Sequence, residues 1–236
     1  MSSATIDVST LAFLKTLRDN NHKKWFDENK PTYQTAHQNV ISFADALIAE
    51  MNKNDQIETP SGKKSLLRIY RDVRFSKDKT PYKINFSGGL RRATKQLRGG
   101  YYFHIQPEGS FIAGGFWAPS TQDLKHIREQ IAQDDEHLRG VISDNKFKKY
   151  FGELRGEQVK TAPKGFSKEH PAIDLLRYKS FILKHDFTDD EVMNKDFLKN
   201  VVQGFQNMRP FFDYMSEILT TDLNGVPIDE ILDIRS

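Results

Sequence analysis

The residues best suited to chemistry lie in one basic run of the chain, between Arg68 and Lys83. Guanidinium and ammonium groups at this density bind phosphate or carboxylate, because each combines a positive charge with several hydrogen-bond donors. The run also holds one serine and two aspartates, and two polar residues follow it on the next predicted strands. The candidate ligand-binding residues are Arg68, Arg71, Arg74, Ser76, Lys77, Asp78, Lys79, Lys83, Asn85 and Tyr102.

The spacing of the arginines indicates that they have different surroundings. If residues 66–74 are extended, Arg68 and Arg74 share one face, and Arg71 points to the other face among apolar side chains. An arginine among apolar neighbours is costly unless it is paired or binds a ligand. Either Asp72 and Asp78 hold the guanidinium groups in place, or a helix supplies the carboxylate for Arg71, or a ligand does.

Polar side chains also alternate along the strands that follow. Lys83 and Asn85 share one face of the next strand, and Tyr102 and His104 share one face of the strand after it. If these faces align with that of Arg68, they form one polar wall suited to a phosphate, a carboxylate or a nucleobase carrying its phosphate. This wall depends on strand register, because a slip of one residue moves every side chain to the opposite face.

The connection from Phe75 to Pro81 is the predicted binding loop. It places Ser76, Lys77, Asp78 and Lys79 ahead of Pro81, which restrains Thr80 to extended geometry. Binding residues are often found on such loops when a rigid scaffold positions them.

The distribution of charge supports an anion-binding surface. The chain has 35 Lys and Arg against 32 Asp and Glu. From Lys63 to Arg98, however, twelve basic residues face only two acidic ones, a net charge of +10, so the remainder is acidic. Clustering of one sign is typical of a surface that meets anions.

These patterns predict binding of an anionic, phosphate-bearing ligand, either nucleic acid or a nucleotide, through residues 68–83. A first alternative is a small-molecule enzyme with phosphoester-type chemistry. In that enzyme His104 or His170 acts as acid or base and Arg71, Arg74 and Lys79 bind the anion. A second alternative is a scaffold whose basic surface docks an acidic protein.

Composition excludes several classes of protein. The chain lacks cysteine, which removes disulfides and thiolate zinc sites, and its seven histidines are not at metal-ligand spacing. We therefore predict no metal and no cofactor. No apolar run is long enough for a membrane span, and the N-terminus does not resemble a signal peptide. The expected location is cytoplasmic, with no membrane partner, and the oligomeric state is left open.

Periodicity predicts one α+β domain spanning residues 1–236. Helices occupy residues 9–51, and a central antiparallel meander occupies residues 65–118, with strands at 66–71, 82–90, 99–106 and 110–117. Helices with one extra strand at 181–187 occupy residues 120–220, and residues 221–236 form a C-terminal tail.

Local signals predict turns and the starts of helices. Pro107-Glu108-Gly109 is expected to form the turn between the last two strands of the meander. Pro31 is expected in the first turn of a long helix, and Ser120 at the start of the helix that follows the meander.

Further signals concern the first and the last helices. Ser9 is expected to cap the first helix, and Thr188 with Glu191 to form a capping box that opens the last long helix. Pro210 is expected to kink or divide that helix near Arg209.

Several longer motifs resemble the family called domain of unknown function 2461. The likeness covers roughly residues 11–214 and implies a mainly bacterial and fungal cytoplasmic protein. It provides no catalytic residue to carry over. The matching motifs are Asn20-Asn21-x-x-x-Trp25-Phe26, the run from Arg71 to Lys83, Gly114-Gly115-x-Trp117-x-Pro119, Pro163-Lys164-Gly165-Phe166-x-x-x-His170-Pro171 and Leu176-Arg177-Tyr178-Lys179.

Overall fold

Three helices begin the chain, as predicted for residues 9–51. The computed structural model describes residues 4–93 and 96–228, and in it these helices are α1 (Val8–Asp19), α2 (Lys23–Glu28) and α3 (Lys30–Met51). Pro31 lies in the first turn of α3, where its missing N–H removes no helical hydrogen bond. The predicted cap at Ser9 is wrong, because α1 starts one residue earlier and Asp7 is its N-cap.

A short helix, α4 (Gly62–Ser65), precedes a four-stranded antiparallel sheet. The combination of helices with this sheet confirms the predicted α+β class. The strands lie side by side in chain order: β1 (Phe86–Arg91), β2 (Gly100–Ile105), β3 (Ser110–Phe116) and β4 (Phe181–Phe187). The turn predicted at residues 107–109 connects β2 to β3, with Glu108 at a φ of 62°. The extra strand predicted at 181–187 is β4.

The first predicted strand, residues 66–71, is not a regular strand, and β1 begins only at Phe86. The segment makes two isolated antiparallel bridges, Leu66 with Gly88 and Tyr70 with Tyr82. Between the two bridges the chain advances four residues on one segment, from Leu66 to Tyr70, and six on the other, from Tyr82 to Gly88. The two additional residues interrupt the ladder as a bulge does, and the segment is extended without continuous pairing.

The second half of the chain is mostly helical. After β3 come α5 (Thr121–Gln133), α6 (Glu136–Ser143), α7 (Asn145–Phe151) and α8 (Ile173–Leu176), and after β4 come α9 (Asp189–Met193) and α10 (Phe197–Thr220). Thr188 and Glu191 do form a capping box, but it opens the short α9 instead of the last long helix. Pro210 lies inside α10, which continues past it, so the helix is not divided there.

The described residues form two compact units, each with an aromatic core. Unit 1 comprises residues 4–91, 101–112 and 185–204, and unit 2 comprises residues 92–93, 96–100, 113–184 and 205–228. In unit 1, Phe43 packs edge-on against Phe103 and stacks on Phe197. In unit 2, Phe205, Phe211 and Phe212 are fully buried. The single domain over residues 1–236 stays a prediction.

No helix within the described residues combines the length and the apolar character needed to cross a bilayer.

Candidate functional site

The candidate site in unit 1 is a hairpin-like structure with a short paired stem. The N–H of Arg71 donates to the carbonyl of Pro81 at 2.9 Å, and the N–H of Lys83 donates to the carbonyl of Ile69 at 2.8 Å. We call residues 69–71 and 81–83 the stem, and residues 72–80 the basic loop. The stem therefore holds both ends of the basic loop, which contains all of the predicted binding loop except Pro81.

The N-terminal helices anchor the stem through one backbone clamp and one ring stack. The side-chain amide of Asn21 donates to the Tyr82 carbonyl at 2.9 Å, and its oxygen accepts from the Tyr82 N–H at 3.1 Å. Phe26 stacks on the Tyr82 ring with centroids 4.0 Å apart and planes at 14°. Two of the sequence motifs, one in the N-terminal helices and one in the basic run, thus meet at this contact.

Replacing Asn21 with alanine is expected to lower the free energy of unfolding by about 1–3 kcal/mol, because it leaves buried Tyr82 with unpaired backbone groups. Urea unfolding followed by circular dichroism measures this. Asn145→Ala is the control, since Asn145 is exposed and its side chain bonds to no described residue; its effect should stay within about 0.5 kcal/mol. Equal effects of the two variants would show that the clamp contributes no stability.

The basic loop is braced by an arginine at its base. Arg71 donates through Nη1 to the Asp78 carboxylate and to the Thr80 hydroxyl. Asp78 also accepts from the Thr80 N–H at 2.9 Å. The acidic partner of Arg71 is therefore Asp78 from the same loop, not a carboxylate from a helix. Asp78 is thus a partner that holds the guanidinium group in place.

These contacts lower the pKa of Asp78 to about 2 from its usual 3.8, first through the Thr80 N–H and then through the Arg71 guanidinium. Arg71→Gln should raise this pKa only part of the way back, since the backbone donor remains. Carboxyl-carbon NMR titration measures both values. Because the folded pKa is the lower one, the brace stabilises the fold above pH 4 and is lost as the pH falls from about 4 towards 2. An unchanged pKa in Arg71→Gln would contradict the brace.

Arg74 is paired within the loop as well. Its Nε and Nη2 donate to the two oxygens of Asp72 at 2.9 and 2.6 Å, and this pairing lowers the pKa of Asp72. The ammonium group of Lys79 donates to the carbonyl of Val73 at 2.9 Å. The loop therefore has defined internal contacts that involve no ligand.

The braced loop presents an aromatic ring to solvent. Phe75 is 97% exposed, and the guanidinium carbon of Arg74 lies 5.9 Å from its ring centroid. Tyr70, on the stem, is 54% exposed and lies 5.4 Å from the Tyr82 ring. Neither ring was predicted from the sequence to be a site residue. The sequence feature that indicates Phe75 is a phenylalanine directly between Arg74 and Ser76 in a charged loop.

Three cations near the loop form no ion pair with a described residue: Arg68, Lys77 and Lys83. Arg68 lies close enough to Asp72 to contribute to the lowered pKa of that carboxyl group. Arg68 and Lys77 are exposed, and Lys83 is half-buried. Burial, and then repulsion from Arg68, lower the pKa of Lys83. An anion placed beside these two groups would relieve that repulsion.

The wider cationic segment does not converge on this site as a whole. Arg91 pairs with Glu58, Arg98 pairs with Asp123, and Arg92 is only 2% exposed with its guanidinium donating to Asp213 at 3.1 Å. Because these arginines are paired with acidic side chains, the positive charge accessible to a ligand is smaller than the net charge of +10. Lys95 lies outside the described residues.

The strand residues of the predicted wall form a separate chain of contacts. On β2, the Tyr102 hydroxyl lies 3.1 Å from His104 Nδ1, and His104 Nε2 lies 3.1 Å from Gln106 Oε1. His104 also stacks on Phe111 at 4.6 Å. Asn85 is half-buried in the bend before β1. The structure thus explains the orientation of His104 by its neighbours on β2 and β3.

His170 and Ser76 occupy local turns. His170 Nδ1 accepts from the Ala172 N–H at 3.1 Å immediately before α8, and the Ser76 N–H donates to the Val73 carbonyl at 3.3 Å. Catalytic roles for the two histidines stay predictions. Within the described ranges, no three His, Asp or Glu residues form a group able to hold a metal ion.

Comparison with protein-family models matches residues 9–214 to the family described as conserved hypothetical protein (DUF2461), which confirms the resemblance seen in the motifs. No curated protein and no solved structure matches the chain.

Proposed function

We propose that this chain, which belongs to the DUF2461 family, binds single-stranded nucleic acid through the basic loop and its stem. The observation that carries the proposal is Phe75, a ring 97% exposed beside the guanidinium group of Arg74 in the braced loop. A base has a flat apolar face that can stack on such a ring, and stacking of this kind is tolerant of sequence.

The cations around the ring supply the phosphate contacts. Arg68, Lys77 and Lys83 form no ion pair with any described residue, so binding a phosphate does not require breaking one. Arg74 keeps a 77% exposed side chain despite its pairing with Asp72, an exposed contact that contributes little by itself. The acidic residues of the loop thus brace its shape and leave other cations available.

The braced loop favours a single strand over a duplex. Stacking on Phe75 needs a base whose face is open, and bases in a duplex are covered by their neighbours. Because Arg71, Asp78 and Thr80 already hold the loop, binding does not have to order it first, which lowers the entropic cost of association.

Fluorescence anisotropy with labelled single-stranded oligonucleotides tests the proposal. We expect affinity to fall linearly with salt on logarithmic axes, and Arg68→Gln to weaken binding and reduce the slope by about 0.7 for one lost phosphate contact. Arg68 is exposed, so the substitution should leave the fold intact.

The matched control is Lys199→Gln, an exposed lysine of unit 1 outside the basic run, which should leave both affinity and slope unchanged. Equal effects of the two variants would indicate non-specific attraction to net charge. Absence of salt-sensitive binding would overturn the proposal. Salt-sensitive retention of an acidic protein alone would favour the scaffold alternative.

A further inference from the structure

Unit 2 contains an open pocket of about 610 Å³, which lies within the range of roughly 300–1,000 Å³ typical of small-molecule sites. Three segments line it: residues 117–124 after β3, residues 155–157, and residues 179–184 at the start of β4. None of them belongs to the stem or the basic loop. The pocket therefore needs an explanation separate from the proposed nucleic-acid interface.

The most unusual lining residue is Trp117, whose side chain is 79% exposed. Its indole makes no ring contact and no hydrogen bond with any residue of the described ranges. The backbone on both sides restricts its position, because Trp117 directly follows β3 and lies two residues before Pro119. A large ring held at a pocket wall without a packing partner offers a stacking surface to a flat ligand.

A second wall of the pocket is a hydrogen-bonded backbone ribbon. Arg155 and Ile182 exchange two hydrogen bonds of 2.8 and 2.7 Å, and the Lys179 N–H donates to the Glu157 carbonyl at 2.7 Å. Between them Gly156, at a φ of 152°, lies so close to Ser180 that an added Cβ would be 1.9 Å from its carbonyl oxygen. The wall therefore has a fixed shape.

This wall carries the positive charge of the pocket. Three lining side chains are cationic (Arg155, Lys179 and Lys184) and one is acidic (Glu157). The Lys179–Glu157 ion pair of 2.8 Å is exposed to solvent, and such pairs are weak enough to rearrange around a ligand. Arg155 is exposed and has no acidic partner in the part of the chain that the structure describes. An anionic group is therefore favoured beside Arg155.

We propose that this pocket binds a small ligand in which a flat ring is joined to a phosphate, the chemical class of nucleoside monophosphates. The ring stacks on Trp117, and the phosphate accepts hydrogen bonds from Arg155 and Lys179 across the pocket. The pocket volume suits a ligand of this size, the unpartnered indole suits its flat ring, and the cationic side chains suit its phosphate.

Isothermal titration calorimetry of the full chain with adenosine monophosphate, adenosine and inorganic phosphate tests the inference. We expect the monophosphate to bind, and each fragment alone to bind at least tenfold more weakly. Trp117→Ala should weaken monophosphate binding fivefold or more, since base stacking on an aromatic side chain is worth about 1–3 kcal/mol. Arg155→Gln should have a similar effect. Both residues are exposed, and unchanged thermal midpoints will verify that the variants are folded.

Two controls separate this site from others. Lys160→Gln removes an exposed lysine of unit 2 outside the pocket, and Phe75→Ala alters the basic loop; neither should change monophosphate binding. Monophosphate binding unaffected by Trp117→Ala and Arg155→Gln would overturn the inference, as would absence of monophosphate binding. Weakening by Phe75→Ala would place the ligand in unit 1 and also overturn it.

Discussion

Replacing Phe75 with alanine is expected to weaken binding to single-stranded oligonucleotides between about fivefold and a hundredfold, which corresponds to the loss of one stacked base. The ring is 97% exposed, so the fold should not depend on it, and the free energy of unfolding should change by less than about 0.5 kcal/mol. Anisotropy titration and urea unfolding of the same preparations measure both quantities. Loss of oligonucleotide affinity without loss of unfolding free energy would show that Phe75 acts in binding and not in folding.

Conservative variants identify which property of Phe75 matters. Phe75→Trp keeps a ring and should retain or strengthen binding, whereas Phe75→Leu keeps an apolar side chain without a π face and should behave more like alanine. Arg74, 5.9 Å from the ring centroid, is present in all three variants. If leucine binds as well as phenylalanine, the ring buries apolar surface instead of stacking. If alanine binds as well as the wild type, Phe75 lies outside the interface.

Gly115→Ala is expected to cause a large loss of stability, about 3 kcal/mol or more. Gly115 has a φ of 134°, where a side chain adds strain, and its Cβ would lie 2.1 Å from the carbonyl oxygen of Phe181 on β4. The clash is with backbone, which cannot rotate away as a side-chain end can. The strands would have to separate at this point, and thermal unfolding should show a large drop in the midpoint.

The matched control is Gly140→Ala in α6, in the same unit. A Cβ there meets nothing within 4 Å, and alanine is the better helix former by about 0.5–1 kcal/mol, so this variant should be slightly more stable than the wild type. If Gly115→Ala and Gly140→Ala have the same midpoint, the close approach at Gly115 does not limit stability.

Features of the fold that depend only on residues adjacent in sequence could be predicted. The first turn of α3 at Pro31, the cap of α5 at Ser120 and the capping box at Thr188 each depend on residues within one helical turn. The extent of residues 66–71 could not be predicted, because strand pairing depends on how many residues the opposite segment contains. The additional pair of residues between Tyr82 and Gly88 lies outside any local pattern.

The same distinction applies to the candidate site. Asp72 and Asp78 were considered as partners for the nearby arginines, and these short-range pairs exist. Burial of Arg92 could not be predicted, since its partner Asp213 is 121 residues away and the surrounding sequence resembles an exposed basic surface. The clamp from Asn21 to Tyr82 spans 61 residues and was missed for the same reason.

Amide chemical-shift mapping locates the surface at which nucleic acid contacts this protein, and we expect that surface to be the basic loop. Uniformly ¹⁵N-labelled protein is titrated with a short single-stranded oligonucleotide, and shifts are followed for every assigned amide. We predict that the largest changes fall within residues 68–83 and centre on Phe75, Ser76 and Lys77. Unchanged signals across residues 68–83, with the oligonucleotide bound and the changes located elsewhere, would contradict the account.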